Sequence, residues 1–177
     1  AKHMAKRELL ESARLLRNLT ADAGATLIVN DHLDVALAAD ADGVHLGQDD
    51  FPIPEARKIL GPGMIIGAST HSVEQAIRAE AEGADLINVG PIFPTKTKET
   101  SVEPVGVELI ARVKEAINTP QTCMGGINLS NVRQVILSGA ERPAVVSAVV
   151  AADDIAEAAR LLVEEIRKAK EERDSLK

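Results

Sequence analysis

Six short runs rich in β-branched residues recur along the chain, and between them lie stretches whose apolar residues return every three or four positions. The runs are "TLIVN" (26–30), "GVHLG" (43–47), "MIIGAS" (64–69), "LINVG" (86–90), "QTCMGG" (121–126) and "AVVSAV" (144–149). A chain that alternates a strand period with a helix period has few ways to bury both kinds of apolar face. The strand–helix–strand crossover of a parallel sheet is the favoured one. Six strands, each followed by a helix and all preceded by one more helix, predict a parallel α/β protein.

The punctuation agrees. The first helix is expected to pack through Leu9, Ala13 and Leu16, with Gly24 as its stop. Ser72 can cap the helix that follows it, with Gln75 as capping-box partner. The last helix carries Ile155, Ala159, Leu162, Ile166 and Ala169 as one apolar stripe, and residues 170–177 read as a frayed tail. One domain over residues 5–177 is expected, because "AKHM" has the look of an expression-tag remnant. A net charge of −7, with both signs interspersed, argues against nucleic acid or an anionic membrane as partner. No apolar run approaches the roughly 18 residues of a membrane span, and no signal peptide is visible. The single cysteine, Cys123, rules out an internal disulfide and fits a reducing compartment, so a cytoplasmic protein is expected.

In parallel α/β folds, ligands gather at the carboxyl ends of the strands. Polar residues stand at every one of those ends: Asn30 and Asp31, then Gln48, Asp49 and Asp50, then Ser69. The fourth run leads into Thr95, Lys96, Thr97 and Lys98, the fifth ends in Gly125 and Gly126, and Ser147 lies in the sixth. Each also has an ordinary reading. Asp31 or Asp50 can cap a helix, the two glycines can make a tight turn, and Ser147 can bond to backbone. His45 reads as a packed strand residue, and His71 as an ordinary one near a helix start.

The segments "LIVNDHLDVALAADADGVHLGQDD", "IIGASTHSVEQAIRAEAEGADLINVGPIFPTKTK", "GGIN" and "AVVSA" resemble the thiamine phosphate synthase family, from about residue 5 to residue 165. The resemblance implies a (β/α)8-barrel ancestry and a Mg²⁺-dependent transferase. Such enzymes join hydroxymethylpyrimidine diphosphate to a thiazole phosphate and release pyrophosphate. It implies that Asn30 and Ser69 contact the pyrimidine, that Asp31 and Asp50 hold Mg²⁺, and that Lys98 is the catalytic contact to the diphosphate. It further implies that Thr95, Lys96 and Thr97 bind the thiazole phosphate, completed by Gly125, Gly126, Val146 and Ser147. The implied partners are small phosphorylated molecules. The chemistry suits these residues: Mg²⁺ takes a few carboxylates plus phosphate oxygens, and a departing diphosphate needs positive charge rather than a strong base. The related thiazole tautomerases carry a histidine where this chain has Gly90 and Pro91, so that activity is the weaker reading.

The departures from the family lead to further expectations. The family's opening strands and its Q-x-R-x-K motif have no counterpart here, and the chain starts at the helix that follows them. The strand ahead of Gly125 reads Pro120, Gln121, Thr122, Cys123, Met124, and the entry to the last run reads Glu141, Arg142, Pro143. Charge and proline at that entry suit an exposed sheet edge. These features predict an engineered, N-terminally truncated scaffold with little or no activity. They also predict about six parallel strands in an open or rearranged, Rossmann- or flavodoxin-like sheet. A barrel remnant completed by dimerisation is the alternative architecture, and an active thiamine phosphate synthase the alternative function.

Overall fold

The computed structural model describes residues 4–95 and 102–176. Its elements are α1 (Lys6–Asp22), β1 (Ile28–Asn30), α2 (Leu33–Ala38), β2 (Gly43–Leu46), α3 (Ile53–Leu60), β3 (Ile65–Thr70) and α4 (Val73–Ala81). After these come β4 (Leu86–Val89), α5 (Glu108–Ala116), β5 (Gln121–Cys123), α6 (Val132–Leu137), α7 (Ser147–Val150) and α8 (Ile155–Ser175). The five strands form a parallel sheet in the order β1-β2-β3-β4-β5, the α/β architecture that the alternating periods predict. Strands in chain order, without the reversal that marks a doubly wound sheet, are the arrangement of a barrel wall. The chain divides into two compact units, Ala1–Ser69 with Ala79–Leu86 and Thr70–Arg78 with Ile87–Lys177. The expectation of one domain does not foresee that division.

In the first unit, register decides which residues are buried. Val29 pairs with Val44, and Val44 with Ile66, while Asn30 pairs with His45, and His45 with Gly67. Partners in register share a face, and faces alternate along each strand. Val29, Val44, Leu46, Ile66 and Ala68 therefore make one buried apolar face. Asn30, His45, Gly67 and Ser69 lie on the other. The helix α2 packs on β1 and β2, and α1 packs on α2. Of the expected stripe on α1, Ala13 is buried and Leu9 half-buried, but Leu16 is exposed. The helix is held instead by polar anchors, Lys6 to Asp34 at 2.6 Å and Arg17 to Asp42 at 2.7 Å.

An aspartate placed just ahead of a strand closes a two-way clamp twice in this unit. Asp42 donates its N–H to the carbonyl of Leu27 at 3.0 Å, and its carboxylate accepts from the Leu27 N–H at 2.6 Å. Asp85 does the same with Ile66, at 2.8 Å in both directions. An arginine from a helix completes each clamp, Arg17 on Asp42 and Arg57 on Asp85. The Leu27 N–H foremost, and then Arg17, hold the Asp42 carboxyl below its usual range, against a smaller opposing effect of desolvation.

In the second unit, Ile87 pairs with Gln121, Asn88 with Thr122 and Val89 with Cys123. Asn88 is buried, and its side-chain oxygen accepts from the Thr122 hydroxyl at 2.9 Å, while its carbonyl accepts from the Thr70 hydroxyl at 3.1 Å. Burial pushes the Cys123 thiol up to about 12, which makes it an inert core residue. Ser72 caps as expected: its hydroxyl accepts from the Gln75 N–H at 3.2 Å. The Gln75 side chain closes the return bond one residue earlier, on the His71 N–H at 2.7 Å.

Two expectations are corrected here. The sixth run is not a strand among the described residues. It is reduced to a single parallel bridge between Cys123 and Pro143, flanked by bonds from Cys123 N–H to Arg142 and from Ala144 N–H to Cys123. Proline brings no N–H to a ladder, and Val146 (φ −124°, ψ −81°) turns the backbone into α7. Nor is the tail frayed as far as Ser175, where α8 ends. Leu162 and Ala169 are buried as α8 packs on α6, Ile155 is exposed, and Arg173 is tied to the Ala140 carbonyl and to Glu141, both at 3.1 Å. Lys114 reaches Glu141 at 3.2 Å. Burial alone would raise the Glu141 carboxyl, but its bonds to Lys114 and Arg173 outweigh that and hold it low. Among the described residues, no helix is long and apolar enough to cross a membrane.

A carboxylate whose folded value is depressed stabilises the protein above its unfolded value and loses that contribution as pH falls through the folded one. Asp42→Asn should lower the unfolding free energy by about 1 kcal/mol near neutral pH, as one partnered hydrogen bond is lost. The difference from the unaltered chain should shrink once the pH drops below 3.8, the ordinary value for this group. Urea unfolding of both proteins across that range checks it.

Candidate functional site

At the carboxyl ends of the first unit's strands, local bonds place the predicted residues. Asn30 is the last residue of β1 and is exposed. Asp31 follows it with φ +63°, a left-handed turn that aspartate tolerates better than most residues, and its N–H donates to the His45 carbonyl at 2.9 Å. Asp50 lies in the turn after β2, where its carboxylate accepts from the Gly47 N–H at 2.7 Å. Ser69 lies near the end of β3, its hydroxyl 2.8 Å from His45 Nε2 and its carbonyl accepting from Gln48 Nε2 at 2.6 Å.

Two of these contacts involve residues that sequence reasoning passed over. The sequence pattern suggests packing alone for His45, yet it bonds directly to the predicted substrate contact Ser69. For Gln48 the sequence indicates only a position after β2, not its bond to Ser69. A signal for His45 was present: a polar side chain at mid-strand, on the face opposite Val44 and Leu46, has to find a partner on the next strand. Two carboxylates on adjacent strand ends are hard oxygen donors that suit Mg²⁺, which completes its shell with water and phosphate oxygens. Among the described residues, no group of three or more His, Cys, Asp or Glu side chains forms a self-sufficient metal cluster. The donor set fits an ion shared with substrate.

The second unit holds the rest. Thr95 is half-buried in the loop after β4; Lys96, Thr97 and Lys98 lie outside the described residues. Gly125 and Gly126, after β5, have φ +105° and +65°. A Cβ on Gly125 would lie 2.5 Å from Pro91 Cα, and one on Gly126 would lie 2.6 Å from the Pro94 carbonyl oxygen. The two loops are also bonded, Ile92 N–H to Met124 at 2.9 Å and Phe93 N–H to Gly125 at 3.0 Å. The glycines thus let the loop that leads into Thr95 lie directly on the turn. The side-chain amides of Asn128 and Asn131 donate to the Gly126 carbonyl at 3.1 and 3.0 Å. The His71 ring N–H donates to the Gly90 carbonyl at the root of the same loop. Val146 is exposed at the cap of α7, and Ser147 is the first residue of that helix rather than a strand residue.

The family profile described as thiamine monophosphate synthase (TMP-TENI) matches residues 1–149. The chain belongs to that family. It is 52% identical over 168 residues to the thiamine-phosphate synthase of Shouchella clausii, which covers 95% of this chain and 80% of that one. It is 54% identical over 150 residues to the synthase of Halalkalibacterium halodurans, covering 85% and 71% respectively. Among solved structures, the thiamine phosphate pyrophosphorylase of Pyrococcus furiosus superposes with a TM-score of 0.88 at 40% identity, over 96% of this chain and 81% of that one. A 3-hexulose-6-phosphate synthase, at 18% identity and a TM-score of 0.64, shares the fold alone.

Gly125→Ala should be costly, because it forces a side chain into the left-handed region and against Pro91. We expect a loss of about 1–3 kcal/mol from backbone strain alone. For a chain of this size that is a fall in Tm of at least about 2 °C, read by calorimetry.

Proposed function

We propose that this chain is a thiamine phosphate synthase, joining hydroxymethylpyrimidine diphosphate to a thiazole phosphate with release of pyrophosphate. The supporting observation is the set of strand-end residues in the first unit. Asn30, Asp31 and Ser69 stand there with the side chains and local bonds that a diphosphate-bearing heterocycle would meet. In this reading Asn30 and Ser69 hold the pyrimidine. Asp31 and Asp50 would hold Mg²⁺, which supplies positive charge beside the diphosphate oxygens. Lys98 meets the same diphosphate and stabilises the charge it carries away. Thr95, Lys96 and Thr97, with the Gly125–Gly126 turn, Val146 and Ser147, receive the thiazole phosphate, where backbone N–H groups and hydroxyls suit an anion. The two substrates arrive with their phosphates already in place, so the residues here bind, orient and shield charge.

The scaffold expectation rests on the missing cationic motif. Identity of 52% to a thiamine-phosphate synthase over 95% of the chain favours the transferase over an inactive scaffold. Both substrates supplied with Mg²⁺ should yield thiamine phosphate, followed by chromatography, and chelation of the metal should abolish it. Asp50→Asn should lower the rate by about 10²-fold, the usual loss when one charge-stabilising contact goes. Absence of product from the unaltered chain with both substrates and Mg²⁺ present would sink the proposal.

A further inference from the structure

The contact between His45 and Ser69 is built by three residues on two neighbouring strands. His45 stands in register opposite Gly67, and Ser69 is the next residue of β3 on the same face. A Cβ at position 67 would lie 2.5 Å from His45 Nδ1. The imidazole therefore lies across the space that glycine leaves empty, and this brings its Nε2 to 2.8 Å from the Ser69 hydroxyl. The backbone beneath the ring is fixed as well. His45 is laddered between β1 and β3, and its carbonyl accepts from Asp31. The Ser69 carbonyl is held by Gln48 at 2.6 Å. Ser69 is thus gripped at its main chain by one side chain and at its hydroxyl by another.

A serine hydroxyl has one proton, two lone pairs and a free rotor, so by itself it presents no fixed pattern to a ligand. A bond to a ring held in a slot removes that freedom and leaves one defined side of the oxygen for the substrate. We propose that His45 is a positioning residue for the pyrimidine: seated over Gly67, it orients the Ser69 hydroxyl so that an aminopyrimidine meets a single preset hydrogen-bonding pattern. This rests on the transferase reading above. Gly67 belongs to the same device, because any larger residue would evict the ring while leaving both bonding groups in the sequence.

Residues that act as one unit give non-additive losses, and residues that act separately give losses that multiply. Ser69→Ala and His45→Ala should each lower kcat/KM for the pyrimidine diphosphate by about 10- to 100-fold, the scale of a displaced contact. KM for the thiazole phosphate should be unchanged in both. The double variant should be no worse than Ser69→Ala alone. His45→Gln, whose amide can reach the place of Nε2, should recover most of the rate, and Gly67→Ala should reproduce His45→Ala with both groups still present. Should His45→Ala fail to fold, Gly67→Ala, alone and combined with Ser69→Ala, carries the same comparison. A second readout needs no turnover: the His45 imidazole ¹⁵N resonances should shift in Ser69→Ala. Losses that multiply in the double variant, equal losses for both substrates, or unmoved ¹⁵N resonances would each overturn the positioning role. If the unaltered chain makes no product, the transferase reading falls and the role with it, while the ¹⁵N measurement still reports whether the pair exists.

Discussion

The first unit depends on the aspartate clamp. Asp42 and Asp85 each grip both backbone groups of one residue, Leu27 and Ile66 respectively, and an arginine neutralises each carboxylate. Such a clamp does more than add a hydrogen bond. Because side chains alternate along a strand, a slip of one residue would exchange the two faces of the sheet. A two-way bond at a defined residue opposes that slip. Val44 and Ile66 stay in the core, and Asn30, His45, Gly67 and Ser69 stay together on the other face. The candidate site is therefore a consequence of register, and register is held at the opposite ends of the strands.

In the second unit the same task falls to different groups. Asn88 is buried between the Thr70 and Thr122 hydroxyls, and Glu141 gathers Lys114 and Arg173. Around the Gly125–Gly126 turn, the carbonyls of Met124, Gly125 and Gly126 accept from Ile92, Phe93 and the side-chain amides of Asn128 and Asn131. The turn is shaped from both sides: close approach of the Pro91–Pro94 segment demands glycine, and the asparagine amides hold its carbonyl. If the turn receives a phosphate as proposed, its shape is set before the ligand arrives. Preorganisation of that kind spares the ordering cost of binding.

What could be read in advance was whatever depends on local pattern. Five of the six strand runs, the cap at Ser72 and the burial of Leu162 and Ala169 all follow from periodicity and punctuation. The readings that failed depended on what a segment meets. "AVVSAV" has the composition of a strand, yet beyond the bridge at Pro143 the chain turns at Val146 and becomes helix. Leu16 continues an apolar stripe on α1 but is exposed, because that helix is anchored through Lys6 and Arg17. "KAKEERDSLK" looks solvated, but Arg173 finds Ala140 and Glu141, more than thirty residues earlier in the chain. Glu141 itself, legible as a charge guarding a sheet edge, is the hub of that network.

The sequence by itself determined the class of fold, the family, and which residue types stand at the ends of the strands. Those properties live in hydrophobic period and in the order of short motifs, both of which are local. Only the tertiary structure decided that His45 reaches Ser69, that Gly67 is the space it crosses, and that Gly125 and Gly126 are required by the loop lying on them. Each is a contact between separate elements, set by register and by the absence of a side chain. A missing atom leaves no pattern along one strand; its effect exists only where another strand comes close enough to use the space.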